Sequence, residues 1–214
     1  TDFDDAVSLR AAGEVSGTHG AKGGALLSIY IANVTMWMSH LDLWASFSKR
    51  VATIYLPDQK RPMLPSILSD CLCSLIEGRP RIALVLDLLV VDGQVLEANY
   101  RNAKICVTRN FRYEEPDLLA APEYKELLAT TRKMATHRAY IKTLRDSHDV
   151  VAYTMILMNH RTAQTMLDHR VGVFRSVIAT VTAPPPQAGA LPEDVEAFFR
   201  MWNSGSGQYV DLAS

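Results

Sequence analysis

Four segments of the chain carry the hydrophobic pattern of β-strands. Their apolar side chains either alternate with polar ones or form short aliphatic runs, as half-buried and central strands do. These segments are residues 5–10, 25–34, 81–91 and 94–107. Asp92 and Gly93 separate the last two and favour a tight hairpin, because both turn positions need positive φ. The first part of the chain is therefore predicted to form a sheet.

Helical spacing of apolar residues dominates the second part. A helix is predicted over residues 123–138, and a long amphipathic helix over residues 149–168. The apolar face of the long helix is predicted to comprise Val151, Met155, Met158, Thr162 and Met166. Further helices are predicted at residues 41–50, at residues 66–73 with Ser66 as the cap, and at residues 193–202 after a proline-rich linker at 183–189. Because the strands come first, we expect an α+β fold with a sheet-rich half at 1–113 and a helical half at 114–214.

The composition is that of an ordinary globular protein. The chain has 214 residues, 48% of them hydrophobic, and a formal net charge of −1, so any binding of a polyanion must come from local patches. No signal peptide is visible, and no apolar run reaches the ~18 residues of a membrane span, so no membrane association is expected. Three cysteines, Cys71, Cys73 and Cys106, are an odd number with a close pair. They predict reduced thiols and hence an intracellular, reducing compartment.

Three carboxylates at the mouth of the first predicted strand are the strongest candidate chemistry. Asp2, Asp4 and Asp5 occupy three of four successive positions. Close carboxylates repel one another, so such a cluster is stable when it is solvated or when a cation neutralises it. Oxygen ligands select hard ions such as Mg²⁺ or Mn²⁺, and paired hard ions support phosphodiester hydrolysis. On these residues alone, a metal site and a solvated acidic segment both remain open.

A series of short motifs follows the aspartates in a characteristic order. T-D-F-D-D-A at residues 1–6 is followed by I-A-N-V-T at 31–35, A-T-I-Y-L-P at 52–57, P-M-L-P at 62–65 and L-S-D-C-L-C-S-L at 68–75. In order and spacing, the series resembles the catalytic domain of the RNB-family (ribonuclease II/R-type) 3′→5′ exoribonucleases. The segments at 147–159 and 173–177 resemble later parts of the same domain more weakly.

The resemblance implies an RNB-type domain with a mixed or antiparallel sheet surrounded by helices, incomplete at both ends. The family's first aspartate would precede Thr1, and its arginine segment would follow Ser214. Asp2 and Asp5 would help to hold Mg²⁺ or Mn²⁺, and Asp4 would position a second metal or the attacking water. Tyr55 would pack on the base at the 3′ end of the RNA. The implied activity is metal-dependent, processive 3′→5′ hydrolysis of single-stranded RNA to nucleoside monophosphates, with a helicase or a multi-subunit RNA-processing complex as a further partner.

Two basic pairs, Lys49-Arg50 and Lys60-Arg61, flank Tyr55 in the sequence. They suit contacts with an RNA phosphate backbone, and a solvated helix face and loop would explain them equally well. His137, His148, His160 and His169 lack the spacing of a zinc pair and are expected to be surface or capping residues.

Several departures from the family pattern support a different class of function. Asn33 stands where the family has aspartate, Ala152 and Tyr153 replace an acidic pair, and the stretch between Tyr113 and Leu144 is much shorter than usual. The alternative is a degenerate RNB domain that serves as a structural or RNA-binding subunit of a larger assembly. A carboxylate domain that stores or senses metal is a third class.

Overall fold

The computed structural model describes residues 3–11, 24–47, 53–178 and 206–211. Residue contacts divide the chain into two compact units, Thr1–Met158 and Asn159–Ser214. The described strands are β1 (Asp5–Ala11), β2 (Ala25–Ala32), β3 (Ile54–Tyr55), β4 (Lys60–Arg61), β5 (Pro80–Val91), β6 (Gln94–Cys106), β7 (Val173–Ile178) and β8 (Ser206–Asp211). The described helices are α1 (Val34–His40), α2 (Trp44–Phe47), a π-helix (Ile67–Cys73), α3 (Pro116–Ala120), α4 (Pro122–His137) and α5 (Ser147–Asp168).

The first unit is built on a four-stranded antiparallel sheet in the order β1-β2-β5-β6. All four strands predicted from the sequence are confirmed, and β2 is an inner strand as expected. Asp92 and Gly93 form the β5–β6 turn with φ of 48° and 81°, the positive values that the sequence predicted. Together with the helices, this sheet confirms the predicted α+β class.

The core of this unit lies between one face of the sheet and the helices that follow it. Side chains alternate across a strand, so residues paired in register share a face. The helix-facing rows include buried Leu27, Ile29, Leu86 and Leu88, with half-buried Val7 at the edge. On the other side of the core, α4 and α5 contribute Tyr124, Met134, Val150, Tyr153 and Leu157.

The buried side of α5 differs from the predicted one. Its buried residues are Ser147, Val150, Tyr153, Thr154, Leu157 and Met158. Met158 alone belongs to both the predicted and the observed set; Val151, Met155 and Thr162 are half-buried and Met166 is exposed. The prediction was wrong because it followed the methionines and missed Tyr153, whose ring is a larger apolar body and packs 5.5 Å from that of Tyr140.

The opposite face of the sheet carries a buried polar group. Ser28 is fully buried and donates a hydrogen bond to Asp87, and Asp87 also accepts one from Arg101, on the neighbouring strand β6. The Asp87 carboxylate raises the pKa of the Arg101 guanidinium by hydrogen bonding and by charge. The half-buried Asp87 carboxylate is thus hydrogen-bonded and paired with a cation, which offsets the cost of withdrawing its charge from water.

The segment between β2 and β5 contains two corrections to the predicted helices. The helix predicted at 41–50 begins only at Trp44, because residues 41–43 form a turn after α1 in which Asp42 has a φ of 51°; its described part is the four residues of α2. Residues 48–50 of that helix lie outside the described residues. The helix predicted at 66–73 is present as the π-helix, but the Ser66 side chain makes no capping hydrogen bond because its backbone is already helical.

The second unit contains the end of α5 and a two-stranded antiparallel sheet of β7 and β8. The sequence pattern did not anticipate this sheet in the half expected to be helical. The predicted linker at 183–189 and helix at 193–202 lie outside the described residues. Among the helices that the structure describes, none combines the length and the apolar character that crossing a bilayer demands.

Candidate functional site

The carboxylate segment is anchored on both sides by its own backbone. Before Asp4, the Phe3 N–H donates to Ser74 Oγ at 3.0 Å, and the Phe3 carbonyl accepts from the Leu75 N–H at 2.9 Å. After Phe3, the Asp4 carbonyl accepts from the Ala32 N–H at 2.9 Å, at the end of β2. The aspartates are thus held between the end of the π-helix and the end of an inner strand.

The two described carboxylates differ in their surroundings. Asp4 is exposed, whereas Asp5 is half-buried as the first residue of β1. Burial raises the pKa of the Asp5 carboxyl, and the negative charge of Asp4 raises it further. Both causes penalise the ionised form, so a cation held by these oxygens would relieve both.

The donor chemistry of this segment fits a hard divalent cation. Its carboxylates supply oxygen ligands only, which suit Mg²⁺ or Mn²⁺ rather than a soft metal. Asp2, the third predicted ligand, lies outside the described residues. Within the described ranges, no three histidine, cysteine, aspartate or glutamate side chains gather as metal ligands would. Of the three predicted metal ligands, the structure therefore describes Asp4 and Asp5.

We expect Asp5→Asn to stabilise the metal-free protein at neutral pH. Because the folded-state pKa of Asp5 is raised, this carboxylate favours unfolding increasingly as pH rises from its ordinary value of 3.8 through its folded value. Asparagine carries no charge at any pH, so the gain should be present at pH 7 and absent at low pH. Its size should be on the order of 1 kcal/mol, as for other single substitutions that improve the charge distribution of a protein.

Thermal unfolding in a chelator, at pH 7 and at pH 3, measures this effect. Asp58→Asn, which changes an exposed aspartate in the turn between β3 and β4, is the matched control and should leave the melting temperature unchanged. A melting temperature that falls for Asp5→Asn at neutral pH would contradict the prediction.

Asn33, which by the resemblance stands at an aspartate position, is committed to structural contacts. Its side-chain oxygen accepts from the Met36 N–H at 3.1 Å and from Thr35 Oγ1, and so caps α1. Its amide nitrogen donates to Asn102 Oδ1 at 2.8 Å, on strand β6. Aspartate has no N–H to donate, so the hydrogen bond to Asn102 in this orientation requires the amide.

A stacked aromatic pair beside the aspartates was missed by the sequence analysis. The rings of Tyr113 and His148 stack with centroids 3.6 Å apart and an interplanar angle of 17°. Burial raises the pKa of Tyr113, and the negative charge of Asp5 adds to this, which identifies Tyr113 as an electrostatic neighbour of the site. Tyr113 is 51% exposed, so much of the residue remains accessible to a ligand.

A hydrogen-bonded clasp between Glu114 and Ser147 fixes the backbone of this pair. Glu114 Oε1 accepts from the Ser147 N–H at 2.8 Å and from Ser147 Oγ at 2.6 Å, and the Glu114 N–H donates to Ser147 Oγ at 3.2 Å. These hydrogen bonds lower the pKa of the Glu114 carboxyl. The clasp holds the residues after Tyr113 and before His148 together, at the start of α5.

The residues predicted to contact RNA lie on a separate two-stranded element. Strands β3 and β4 pair Tyr55 with Lys60 and Ile54 with Arg61. The Leu56 N–H closes the turn by donating to the Gln59 carbonyl at 2.9 Å. The structure thus brings Tyr55 and Lys60 into register, while Lys49 and Arg50 lie outside the described residues. The positions of the Tyr55 and Arg61 side chains relative to the aspartates stay a prediction.

Comparison with known proteins places these residues in a family. A family model described as RNB domain matches residues 1–170. Ribonuclease R of Chlamydia trachomatis is 29% identical over 180 residues, which cover 79% of this chain and 24% of that protein. Exoribonuclease 2 of Aeromonas hydrophila is 38% identical over 100 residues, which cover 45% of this chain and 13% of that protein. The chain thus spans a quarter or less of the length of these relatives.

Solved structures agree with the fold. Mycoplasma genitalium RNase R, solved in complex with double-stranded RNA, superposes with a TM-score of 0.70 at 14% identity, over 98% of this chain and 48% of that one. Yeast Ssd1, described as a pseudonuclease, superposes with a TM-score of 0.65 at 14% identity, over 82% of this chain and 25% of that one. At these identities the likeness establishes the architecture alone, which is common to a ribonuclease and a pseudonuclease.

Proposed function

Because the chain belongs to the RNB domain family, we propose that it is the catalytic part of a 3′→5′ exoribonuclease that hydrolyses single-stranded RNA processively to nucleoside monophosphates. The observation that carries this proposal is the anchored carboxylate segment, in which Asp4 is exposed and Asp5 is half-buried with a raised pKa. Ribonuclease R and exoribonuclease 2 among the relatives support the reaction class.

Asp2, Asp4 and Asp5 would hold divalent ions such as Mg²⁺ or Mn²⁺, which supply charge stabilisation and an activated water for phosphodiester hydrolysis. The chain itself contributes the rigid placement of these oxygens, since the backbone before and after Asp4 is bonded to two other elements. Because Asp5 is partly buried, fewer water molecules compete with a bound cation for its carboxylate oxygens. Tyr113 offers an accessible ring at the same place.

Tyr55 is proposed to pack on the base at the 3′ end, and the basic pairs Lys49-Arg50 and Lys60-Arg61 to follow the phosphate backbone. Stacking suits an enzyme that accepts every base, because each base has a π-face.

We expect Tyr55→Ala to weaken binding of single-stranded RNA roughly tenfold or more, and Tyr55→Phe to retain most of it. Fluorescence anisotropy in a chelator measures binding without cleavage; equal affinities for the alanine variant and the wild type would exclude the stacking role.

The proposed reaction is tested with the full-length protein on single-stranded RNA labelled at the 5′ end. A 3′→5′ exonuclease with Mg²⁺ or Mn²⁺ releases unlabelled mononucleotides and shortens the labelled strand, and a processive one leaves few intermediate lengths. RNA labelled at the 3′ end should give a labelled mononucleotide at once. Tight RNA binding with no hydrolysis in either metal would overturn this proposal in favour of the degenerate, RNA-binding subunit.

The cellular setting is proposed from the thiols. Cys71 and Cys106 are exposed free thiols, which a reducing intracellular compartment preserves.

A helicase or an RNA-processing complex is proposed as partner, because a single-strand exonuclease needs paired RNA to be opened first. Affinity capture of the full-length protein under reducing conditions, with and without ribonuclease treatment, tests whether such a partner binds directly.

A further inference from the structure

We propose that Ser74 is a positioning residue for the carboxylate segment: its buried hydroxyl sets where Asp4 and Asp5 present their oxygens to a divalent cation. This inference rests on the proposed function in one respect, which is that these carboxylates bind such a cation. It assigns to the end of the π-helix a role in metal affinity rather than in stability alone.

Ser74 contacts the carboxylate segment at Phe3, the residue before Asp4. Ser74 is 1% exposed, and its Oγ accepts the Phe3 N–H at 3.0 Å. The adjacent Leu75 N–H donates to the Phe3 carbonyl at 2.9 Å. The N–H and the carbonyl of Phe3, the residue directly before Asp4, are therefore both hydrogen-bonded to the consecutive residues Ser74 and Leu75. A shift of Ser74 would move the start of the carboxylate segment with it.

Ser74 is itself held firmly. Its carbonyl accepts from Arg81 Nε at 2.7 Å and from the Ile76 N–H at 2.8 Å. Its backbone leaves the π-helix in an extended conformation, with φ of −58° and ψ of 127°. A π-helix has wider turns than an α-helix and recurs at functional sites. An α-helix over the same residues would end at a different angle, so the π-helix helps to direct the Ser74 hydroxyl toward Phe3.

Ser74→Ala removes the acceptor of the Phe3 N–H while leaving the carboxylates intact. Removing a group that orients metal ligands commonly lowers metal affinity by roughly 10–100-fold. Here the effect passes through the backbone of Phe3, so we expect about a tenfold loss of affinity. Cysteine has nearly the shape of serine and is a weaker acceptor, so Ser74→Cys should fall between alanine and the wild type.

The matched control is Ser28→Ala. Ser28 is also fully buried, and its hydroxyl is bonded to Asp87 in the middle of the sheet. The substitution makes the same chemical change at similar burial, so it should lower the thermal stability and leave metal affinity unchanged. A merely structural role of Ser74 predicts the same behaviour for both serines.

The experiment measures Mn²⁺ binding to the full-length protein by calorimetry and by the loss of the free-ion EPR signal, with no RNA present. The expected affinities decrease in the order wild type, Ser74→Cys, Ser74→Ala, with Ser28→Ala equal to the wild type. If Ser74→Ala does not fold, the cysteine variant decides, and a severalfold loss supports the inference. Unchanged Mn²⁺ affinity in a folded Ser74 variant overturns the inference alone. A wild-type protein that binds no Mn²⁺ overturns the inference and the proposed metal-dependent function together.

Discussion

Asp4→Asn in the full-length protein should lower the rate of RNA cleavage by roughly a thousandfold or more while RNA binding persists. The substitution keeps the shape of the side chain and removes a charge that the proposed reaction needs beside the scissile phosphate. Asp4 is exposed, so its loss should disturb the fold little. Affinity for RNA should be equal or slightly higher, because one repulsion between carboxylate and phosphate disappears.

Single-turnover cleavage and RNA anisotropy, measured on the same preparations, separate the two effects. Asp168→Asn supplies the control, since it changes the net charge equally at an exposed position on α5. Cleavage by Asp4→Asn at the wild-type rate would show that the reaction centre lies elsewhere. Loss of binding together with cleavage would instead assign Asp4 to RNA recognition.

Among glycine-to-alanine substitutions in the described turns, Gly93→Ala should lower the free energy of unfolding the most. Gly93 has a φ of 81°, and a Cβ there would lie 2.7 Å from both the carbonyl carbon and the carbonyl oxygen of Lys133. Those atoms belong to the backbone of α4, which also contacts the turn through His137 Nε2, 3.1 Å from the Asp92 carbonyl oxygen. The strained φ and the clash together should cost roughly 3 kcal/mol of the free energy of unfolding.

Gly78→Ala isolates the backbone part of this cost. Gly78 also has a positive φ, 66°, but an added Cβ would meet no atom within 4 Å. It should therefore cost about 1 kcal/mol, from the conformation alone. Guanidinium unfolding followed by tryptophan fluorescence compares the two variants. Equal losses would mean that the β5–β6 turn does not press against α4.

The sequence predicted the elements whose folding signals are local. The β5–β6 hairpin follows from Asp92-Gly93 and the flanking apolar runs, and β1 and β2 follow from their own patterns. The predicted face of α5 failed because amphipathic spacing does not say which of two adjacent stripes meets the sheet. Tyr153 and Leu157 are buried because they pack in one core with residues of β2 and β5. The sequence of the helix alone does not contain this information.

In the candidate site, too, the sequence pointed only to residues that have a local signal. Asp4 and Asp5 are adjacent in a motif at the mouth of a predicted strand, and β1 does begin at Asp5. Their role as metal ligands stays a prediction. Tyr113 and His148 gave no signal, because their stacking depends on two segments that are distant in sequence. The hydrogen bond that the Phe3 N–H donates to Ser74 Oγ spans 71 residues. Residues that orient a site through such contacts become visible only when the chain is folded.

The Glu114–Ser147 clasp closes a loop of the chain, and this bears on how its length can vary. The partners are 33 residues apart, and the residues between them form α3, α4 and the turn that leads to α5. The entropy of closing a loop grows only with the logarithm of its length, so each doubling costs about 0.6 kcal/mol. With both ends tied at the clasp, residues can be added or removed in the turns that join α3, α4 and α5 while the ends stay in place, whereas α4 itself packs in the core. The connection between Tyr113 and Leu144, which the sequence predicted to be short, can thus change length without displacing Tyr113 or His148.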